Sequence, residues 1–417
     1  MINVDDLCAG YGGKDIIGDI TFAAGKGAFI GIIGPNGSGK TTLLKAISRV
    51  LDISSGVVTL EGRTLTDFGQ KELARTVGVV PQETAMNFSY TVGDIVMMGR
   101  FPHKERFAKD DPDDYRIVRE AMEVTNVAHL ADRPVTDISG GERQRVIIAR
   151  ALAQQPKVIL LDEATAHLDI NHQVEILSIV RDLGESVTKI GVFHDLNLAS
   201  EFCDRIVLMS EGRIRAIGTP AEVLTMGHLR DEYGITAMIQ TNPITGRPLV
   251  TPLSEGVPPA LRGARIHLIS GGGTGAGLMY MLSAAGCILT TGVLSPMDSD
   301  YTAAKQLGIP CITVPAFAPI TPAVCDALGS YLDESDVIIL TAMPVGEGNL
   351  PNIRAITSAR RSRLVLYVPP EEGFTDCTPA GDNSFLAAIR SAGCSVVSSR
   401  SSLYSEIERL VLVREHL

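Results

Sequence analysis

Lys40 and Thr41 close the segment Gly34-Pro-Asn-Gly-Ser-Gly-Lys-Thr41, whose spacing G-x-x-x-x-G-K-[ST] is that of a loop built to hold phosphate. Its glycines let successive backbone N–H groups turn inward on a polyphosphate. A helix N-terminus directly after the loop adds partial positive charge. The lysine would reach the β- and γ-phosphates, and the threonine hydroxyl would ligate Mg²⁺. Such a loop needs a strand before it and a helix after it. The apolar run Ala28-Phe-Ile-Gly-Ile-Ile33 and the stretch Thr42 to Val50 predict both. Gly34, Pro35, Asn36, Gly37, Ser38, Gly39, Lys40, Thr41 and Thr42 are therefore the candidate residues around a nucleoside triphosphate.

Two further stretches could complete the chemistry. Val158-Ile-Leu-Leu-Asp-Glu163 reads as a buried strand ending in two carboxylates. Asp162 would be delivered to the Mg²⁺ shell, and Glu163 would polarise the attacking water, a general-base role contributing roughly 10²–10⁴-fold to rate. In Ile138-Ser-Gly-Gly-Glu-Arg-Gln-Arg145, Ser139 and Glu142 form a capping box that opens a helix from Arg143 to Ala153. Capping does not explain Gly140 and Gly141, which weaken the first turn. Small residues there expose N–H groups to a second anion.

These three stretches together resemble the ABC-type ATPases. Residues 138–142 stand where that family has its LSGGQ signature, with Ile138 for Leu and Glu142 for Gln. The resemblance spans about residues 2–235 and implies ATP and Mg²⁺ as ligands. Ser139 and Gly141, flanking Gly140, would then contact the γ-phosphate of ATP held by a second copy of the chain. Gln82, ending Val77-Gly-Val-Val-Pro-Gln82, matches the Q-loop residue that senses Mg²⁺. Asp169, in Ala166-His-Leu-Asp169, matches the D-loop residue that organises the facing site. His194, ending Ile190-Gly-Val-Phe-His194, matches the switch histidine. Tyr11, in Gly10-Tyr-Gly-Gly13, matches the aromatic that stacks on adenine. The expected catalytic set is Glu163, His194, Lys40 and Gln82, with Thr41, Gln82 and Asp162 toward the metal. Ala164 departs from the proline that the family usually has after the glutamate corresponding to Glu163, outside the chemistry.

A chain of 417 residues calls for two domains. Residues 1–240 read as the ATPase domain with its helical subdomain, 241–262 as a Pro/Gly-rich linker, and 263–417 as a Rossmann-like α/β domain. In the last, strands are predicted at Arg265–Ser270, Cys287–Leu294, Cys311–Val314, Val337–Thr341, Leu364–Val368 and Cys394–Val397. His267 to Met297 holds no Lys, Arg, Asp or Glu, which is long enough to cross a bilayer. Its glycines break it into strand, turn, helix and strand, a buried βαβ unit, so no span is expected. The net charge of −11 argues against a nucleic-acid partner. Seven scattered cysteines without C-x-x-C spacing favour reduced thiols, and Met-Ile-Asn-Val-Asp-Asp at residues 1–6 lacks the basic and apolar regions of a signal peptide, so none is expected.

A motor without a span needs separate transmembrane permease subunits and, in an importer, an extracytoplasmic substrate-binding protein. The chain would sit on the cytoplasmic face of the membrane through that permease. The stretch Phe88 to His103, with Thr91-Val-x-Asp94 and Gly99-Arg-Phe-Pro-His103, resembles importers of ferric siderophores, haem and cobalamin. Gln82, Met97, Met98 and Phe101 are the candidate permease contacts. A C-terminal extension carrying a Gly-Gly-Gly-Thr turn resembles archaeal cobalamin-import ATPases, so a corrinoid is the expected cargo, with siderophore or haem second. A soluble non-transport ABC ATPase would carry two cassettes or long heptads, and neither is present.

The second domain offers Gly271-x-Gly273-x-x-Ala276, a partial dinucleotide fingerprint at a helix N-terminus where an anion could bind. No acidic residue ends the following strand. The phrase Ser-Gly-Gly-Gly-Thr-Gly also resembles cytokinin-activating phosphoribohydrolases over about 35 residues, without their catalytic glutamate motif. Asp298, Asp300 and Glu347 are polar candidates without an assigned role. A regulatory ligand-binding or dimer-stabilising domain is expected.

Overall fold

The computed structural model describes all residues except 83–89, 106–108, 167, 253–260, 359–363, 370–373, 378–383, 392 and 416–417. The chain divides into two compact units, residues 1–252 and 253–417.

In the first unit, every residue of Phe29–Ile33, Val158–Leu161 and Thr188–Val192 is buried. Runs buried at every position, apolar apart from Thr188 and Lys189 whose polar ends are hydrogen-bonded to backbone carbonyls, suit parallel strands covered on both faces. They form the middle of a six-stranded sheet ordered Arg213–Gly218, Arg205–Ser210, Phe29–Ile33, Thr188–Val192, Val158–Leu161, Val77–Val80. All neighbours are parallel except the first pair. Parallel pairing places every carboxyl end on one edge. Four consecutive strands therefore end, side by side, at Gly34, His194, Asp162 and Gln82.

A second sheet of Lys14–Ala24, Ile2–Tyr11, Ile53–Leu60 and Arg63–Thr64 is antiparallel. The helix Lys40–Ile47 buries Leu43, Leu44, Ala46 and Ile47 in the core shared with it. The helices Val92–Met97, Pro112–Val124 and Gly140–Ala153 form the helical part, packed through Val96, Ala121, Met122 and Ile147. Arg100 locks it: its Nε donates to buried Asp114 Oδ1 at 2.9 Å and its Nη1 to Ala153 O at 2.8 Å.

The expected linker 241–262 is corrected in its first half. Ala237–Thr241 and Pro248–Pro252 pair as an antiparallel hairpin. Asn197 clasps Val250 in both directions, at 3.1 and 2.7 Å, and Arg247 Nη1 donates to Ser200 O and Cys203 O. Asn242-Pro-Ile-Thr-Gly246 is thus a tight turn: Asn242 Oδ1 accepts from Ile244 N, the local bonding that makes Asn a turn residue. Residues 253–260, with Pro258 and Pro259, lie outside the described residues, as do Phe88, Ser89 and His167.

The second unit is a parallel sheet ordered Cys311–Thr313, Ile288–Leu294, Arg265–Ile269, Val337–Thr341, Leu364–Tyr367, Ser395–Val397. In chain order this is 3-2-1-4-5-6, the doubly wound arrangement, with its reversal between Arg265–Ile269 and Val337–Thr341. Each of the six predicted strands is present to within one residue at either end. His267 to Met297 folds as strand, the helix Ala276–Ala284, and strand. Among the described residues no helix is long and apolar enough to cross a membrane.

Candidate nucleotide site

The phosphate loop is shaped by close approach. Gly34 has φ +153°, and a Cβ there would lie 2.1 Å from Met209 O, so only glycine fits. The helix that follows begins at Gly39, which contributes no side-chain cap, and its first turn holds no acidic residue. Its leading N–H groups are left for an external anion. Lys40 is 5% exposed, and its Nζ donates to Gly34 O and Pro35 O, both at 2.9 Å. The ammonium is thus folded back onto the loop it serves. Burial lowers its pKa, and Glu163 and Asp162 oppose that shift.

Thr41 Oγ1 donates to Asp162 Oδ1 at 3.2 Å. A hydroxyl and a carboxylate side by side are hard oxygen donors of the kind Mg²⁺ takes. Burial, more than neighbouring Glu163, raises the Asp162 pKa, while Thr41 pulls it back. Glu163 is gripped at both oxygens. His194 Nε2 stands 2.6 Å from Oε1, and Gln82 Nε2 donates to Oε2 at 2.5 Å. Its backbone has φ +50°, a left-handed conformation uncommon for glutamate and held by the turn bond Ala166 N→Glu163 O at 2.9 Å. Ala164, where the family has proline, packs into the core and away from these groups.

A cavity of about 330 Å³ is lined by Asn36, Gly37, Gly39, Lys40, Thr41 and Thr42, with Glu163 and His194 opposite. Ile16 also lines it and was not singled out from the sequence. An exposed isoleucine in a hairpin strand carries no linear signal for this. Tyr11 lies outside that lining, half exposed, with Lys45 Nζ 6.0 Å from its ring centroid.

Ser139, Gly140, Gly141 and Asp169 form a second constellation, none of them in the lining of that cavity. Ser139 caps its helix in a full capping box with Glu142. Asp169 caps the helix Ile170–Arg181, accepting from His172 N at 3.0 Å. His172 Nδ1 is 2.9 Å from both Asp169 oxygens. A Cβ on Gly141 would lie 2.4 Å from the His172 ring. The signature glycine and the D-loop aspartate therefore meet at His172, a residue the sequence did not flag because 31 positions separate it from Gly141. Of the candidate permease contacts, Met97 and Met98 are half-buried against the helical core, while Phe101 is exposed and Gln82 lies on the surface.

In the second unit the anion-binding expectation at Gly271–Ala276 is corrected. The helix N-terminus is already filled by the side chain of Asp300. Asp300 is fully buried and accepts from Gly275 N at 3.1 Å and Ala276 N at 2.8 Å. Asp298 Oδ2 takes Gly272 N at 3.0 Å. Three of the amides at this turn, those of Gly272, Gly275 and Ala276, are thus engaged by the chain itself.

The sheet, the phosphate loop and the gripped glutamate define a P-loop ATPase. Residues 17–166 match the family described as ABC transporter, and residues 289–404 match the MJ0874 family. The cobalamin import ATP-binding protein BtuD of Halobacterium salinarum is 36% identical over 358 residues, 85% of this chain and 88% of that protein. The ferric enterobactin transport ATP-binding protein FepC of Escherichia coli is 38% identical over 256 residues, 61% of this chain and 94% of FepC. The hemin import ATP-binding protein HmuV of Pseudomonas putida is 40% identical over 258 residues, 60% of this chain and 99% of HmuV. A solved structure described as a metal-chelate type ABC transporter, inward-facing, matches 60% of this chain and 96% of its own at a TM-score of 0.53 and 29% identity. The chain belongs to the family of ABC transporter ATP-binding subunits: it binds and hydrolyses ATP to drive import.

Proposed function

We propose that this chain powers uptake of a corrinoid of the cobalamin type through a separate membrane permease. One observation supports that cargo. The similarity to the cobalamin import protein runs over 358 residues and cannot be contained in the 252 residues of the first unit. The enterobactin and hemin relatives have comparable identity over lengths that the first unit alone nearly accommodates. Ferric siderophore or haem import is the second reading, since the motor itself touches no cargo.

In the mechanism that follows, Lys40 and the open N–H groups of the loop bind the β- and γ-phosphates. Mg²⁺, held by Thr41, Asp162 and Gln82, supplies charge neutralisation at the phosphates when bound. Glu163 accepts the proton of the attacking water. His194 and Gln82 set its orientation by holding one oxygen each. Ser139, Gly140, Gly141 and Asp169 serve a second copy of the chain, so that two chains enclose two nucleotides. Tyr11 stacks on the adenine. Closing and opening of that pair is a ligand-driven population shift passed to the permease. Met97, Met98 and Phe101 contact the permease, which holds the chain to the cytoplasmic face of the membrane, and an extracytoplasmic binding protein delivers cargo. Residues 1–252 form the motor, and 263–417 a regulatory domain.

The test is uptake of radiolabelled cobalamin into vesicles carrying the complete complex, beside ferric siderophore and haem. ATP-dependent accumulation of cobalamin, lost in Glu163→Gln, is the expected result. Accumulation of siderophore or haem in its place would transfer the assignment.

A further inference from the structure

The second unit contains a cavity of about 650 Å³ at the carboxyl edge of its sheet. It is lined by residues that follow three of the four strands around the topological reversal: Ser270 and Gly271, Ser295 and Asp298, and Gly346 to Asn352, with Val314 to Ile320 closing the far side. In doubly wound sheets this crevice is where ligands bind. The volume is that of a small-molecule site.

Its chemistry is specific. The walls are apolar, with Leu294, Ile320 and Met343 among them, and Asn352 lies on the floor. Asn352 is 1% exposed, and its Oδ1 has no hydrogen-bond partner. A buried orphan acceptor costs stability unless something donates to it. Asp298 and Glu347 also line the cavity, and no Lys, Arg or His is among its described lining residues. The glycine turn at its edge has given Gly272, Gly275 and Ala276 N–H groups to Asp298 and Asp300. A phosphate would meet two carboxylates and find these three donors engaged. Phe317 stands at the mouth, wholly exposed and with φ +62°, an uncommon conformation for a bulky residue.

We infer that this cavity binds a non-phosphorylated small organic molecule, neutral or cationic, whose N–H or O–H groups donate to Asn352, Asp298 and Glu347 and whose apolar face packs on Leu294 and Met343. Phe317 closes over it. The site is separate from the ATPase cleft, and the inference holds whichever cargo the importer carries. It excludes the nucleotide that the glycine turn suggests.

The experiment is calorimetric titration of the full-length chain, its ATPase cleft saturated with ATP and Mg²⁺ in the Glu163→Gln variant. Adenosine serves as the neutral probe, tyramine as the cationic one and AMP as the anionic one. Adenosine or tyramine should bind, AMP at least tenfold more weakly than adenosine, and Asn352→Leu should abolish binding. Asn352→Leu should also raise the thermal midpoint, because it removes an orphan acceptor; a purely structural asparagine would lower it. Ala318→Trp, which fills the cavity from its far wall, should abolish binding with Asn352 intact, and it decides the matter if Asn352→Leu fails to fold. Binding of neither adenosine nor tyramine, AMP binding as tightly as adenosine, or binding that survives Ala318→Trp would overturn the inference.

Discussion

Glu163 and His194 stand 2.6 Å apart although 31 positions separate them in the chain. They end adjacent parallel strands, Val158–Leu161 and Thr188–Val192, and the sheet register alone brings them together. With Gln82 on the other oxygen, the carboxylate cannot rotate freely. A base held this way has its geometry set before substrate arrives, which is what a general base needs. Replacing Glu163 by Gln keeps the shape and removes the base. ATP turnover should fall by roughly 10²–10⁴-fold while ATP binding persists. Turnover at the native rate would assign the base elsewhere.

Gly141 and His172 give a sharper test of the second constellation. Gly141→Ala places a methyl 2.4 Å from the imidazole, well inside contact distance. Either the ring, which Asp169 holds, or the helix start must shift, so ATP hydrolysis should drop by roughly tenfold while ATP binding through Lys40 and its loop is retained. His172→Ala opens the space, and the double variant should recover part of the lost rate. A double variant no better than Gly141→Ala would show that the ring is not what the signature glycine accommodates. Coupling between residues in contact runs to about 0.5–3 kcal/mol, enough to be read in a double-mutant cycle.

Much of this was legible because it is written in linear spacing. The phosphate loop, the acidic strand end and the capping box each depend on neighbours within eight residues. The second unit's strands were visible as short apolar runs such as Val337–Thr341, fully buried in the sheet. Contacts between distant segments were not legible. The same Pro and Gly signals fit a linker and the Asn242–Gly246 turn, and only the Asn197–Val250 clasp distinguishes them. Likewise Gly271–Ala276 reads as an anion site until Asp300, 24 residues beyond Ala276, is seen filling it.

Arg100 carries the stability of the helical part. Its ion pair with Asp114 is buried on both sides, with side chains 7% and 6% exposed. Removing one partner of such a pair costs about 3–5 kcal/mol, since the other charge stays buried. Here Lys104 Nζ, 3.4 Å from Asp114 Oδ2, remains as a second cation. Arg100→Met should therefore lie near the lower limit, about 3 kcal/mol in chemical denaturation. A change below 1 kcal/mol would mean that Lys104 suffices.

His267 makes the second unit sensitive to acid. It is fully buried in the strand Arg265–Ile269, its Nδ1 2.8 Å from Thr290 Oγ1. Burial pushes its pKa down from 6.5 to about 4, against a backbone hydrogen bond at Gly292 that acts upward. The unfolded chain therefore takes up a proton near pH 6.5 that the folded unit refuses until about pH 4. Stability should be constant above pH 7, decline between pH 6.5 and 4, and level off below as far as this residue is concerned. At about 1.36 kcal/mol per pH unit the decline is about 3 kcal/mol. Carboxylates elsewhere add their own acid dependence, so the comparison is with His267→Gln, which cannot titrate. Denaturation midpoints of the two chains between pH 7 and 4 should converge as pH falls, the native histidine losing about 3 kcal/mol more than the variant. Parallel profiles would show that His267 takes up its proton at the same pH in the fold as in the unfolded chain.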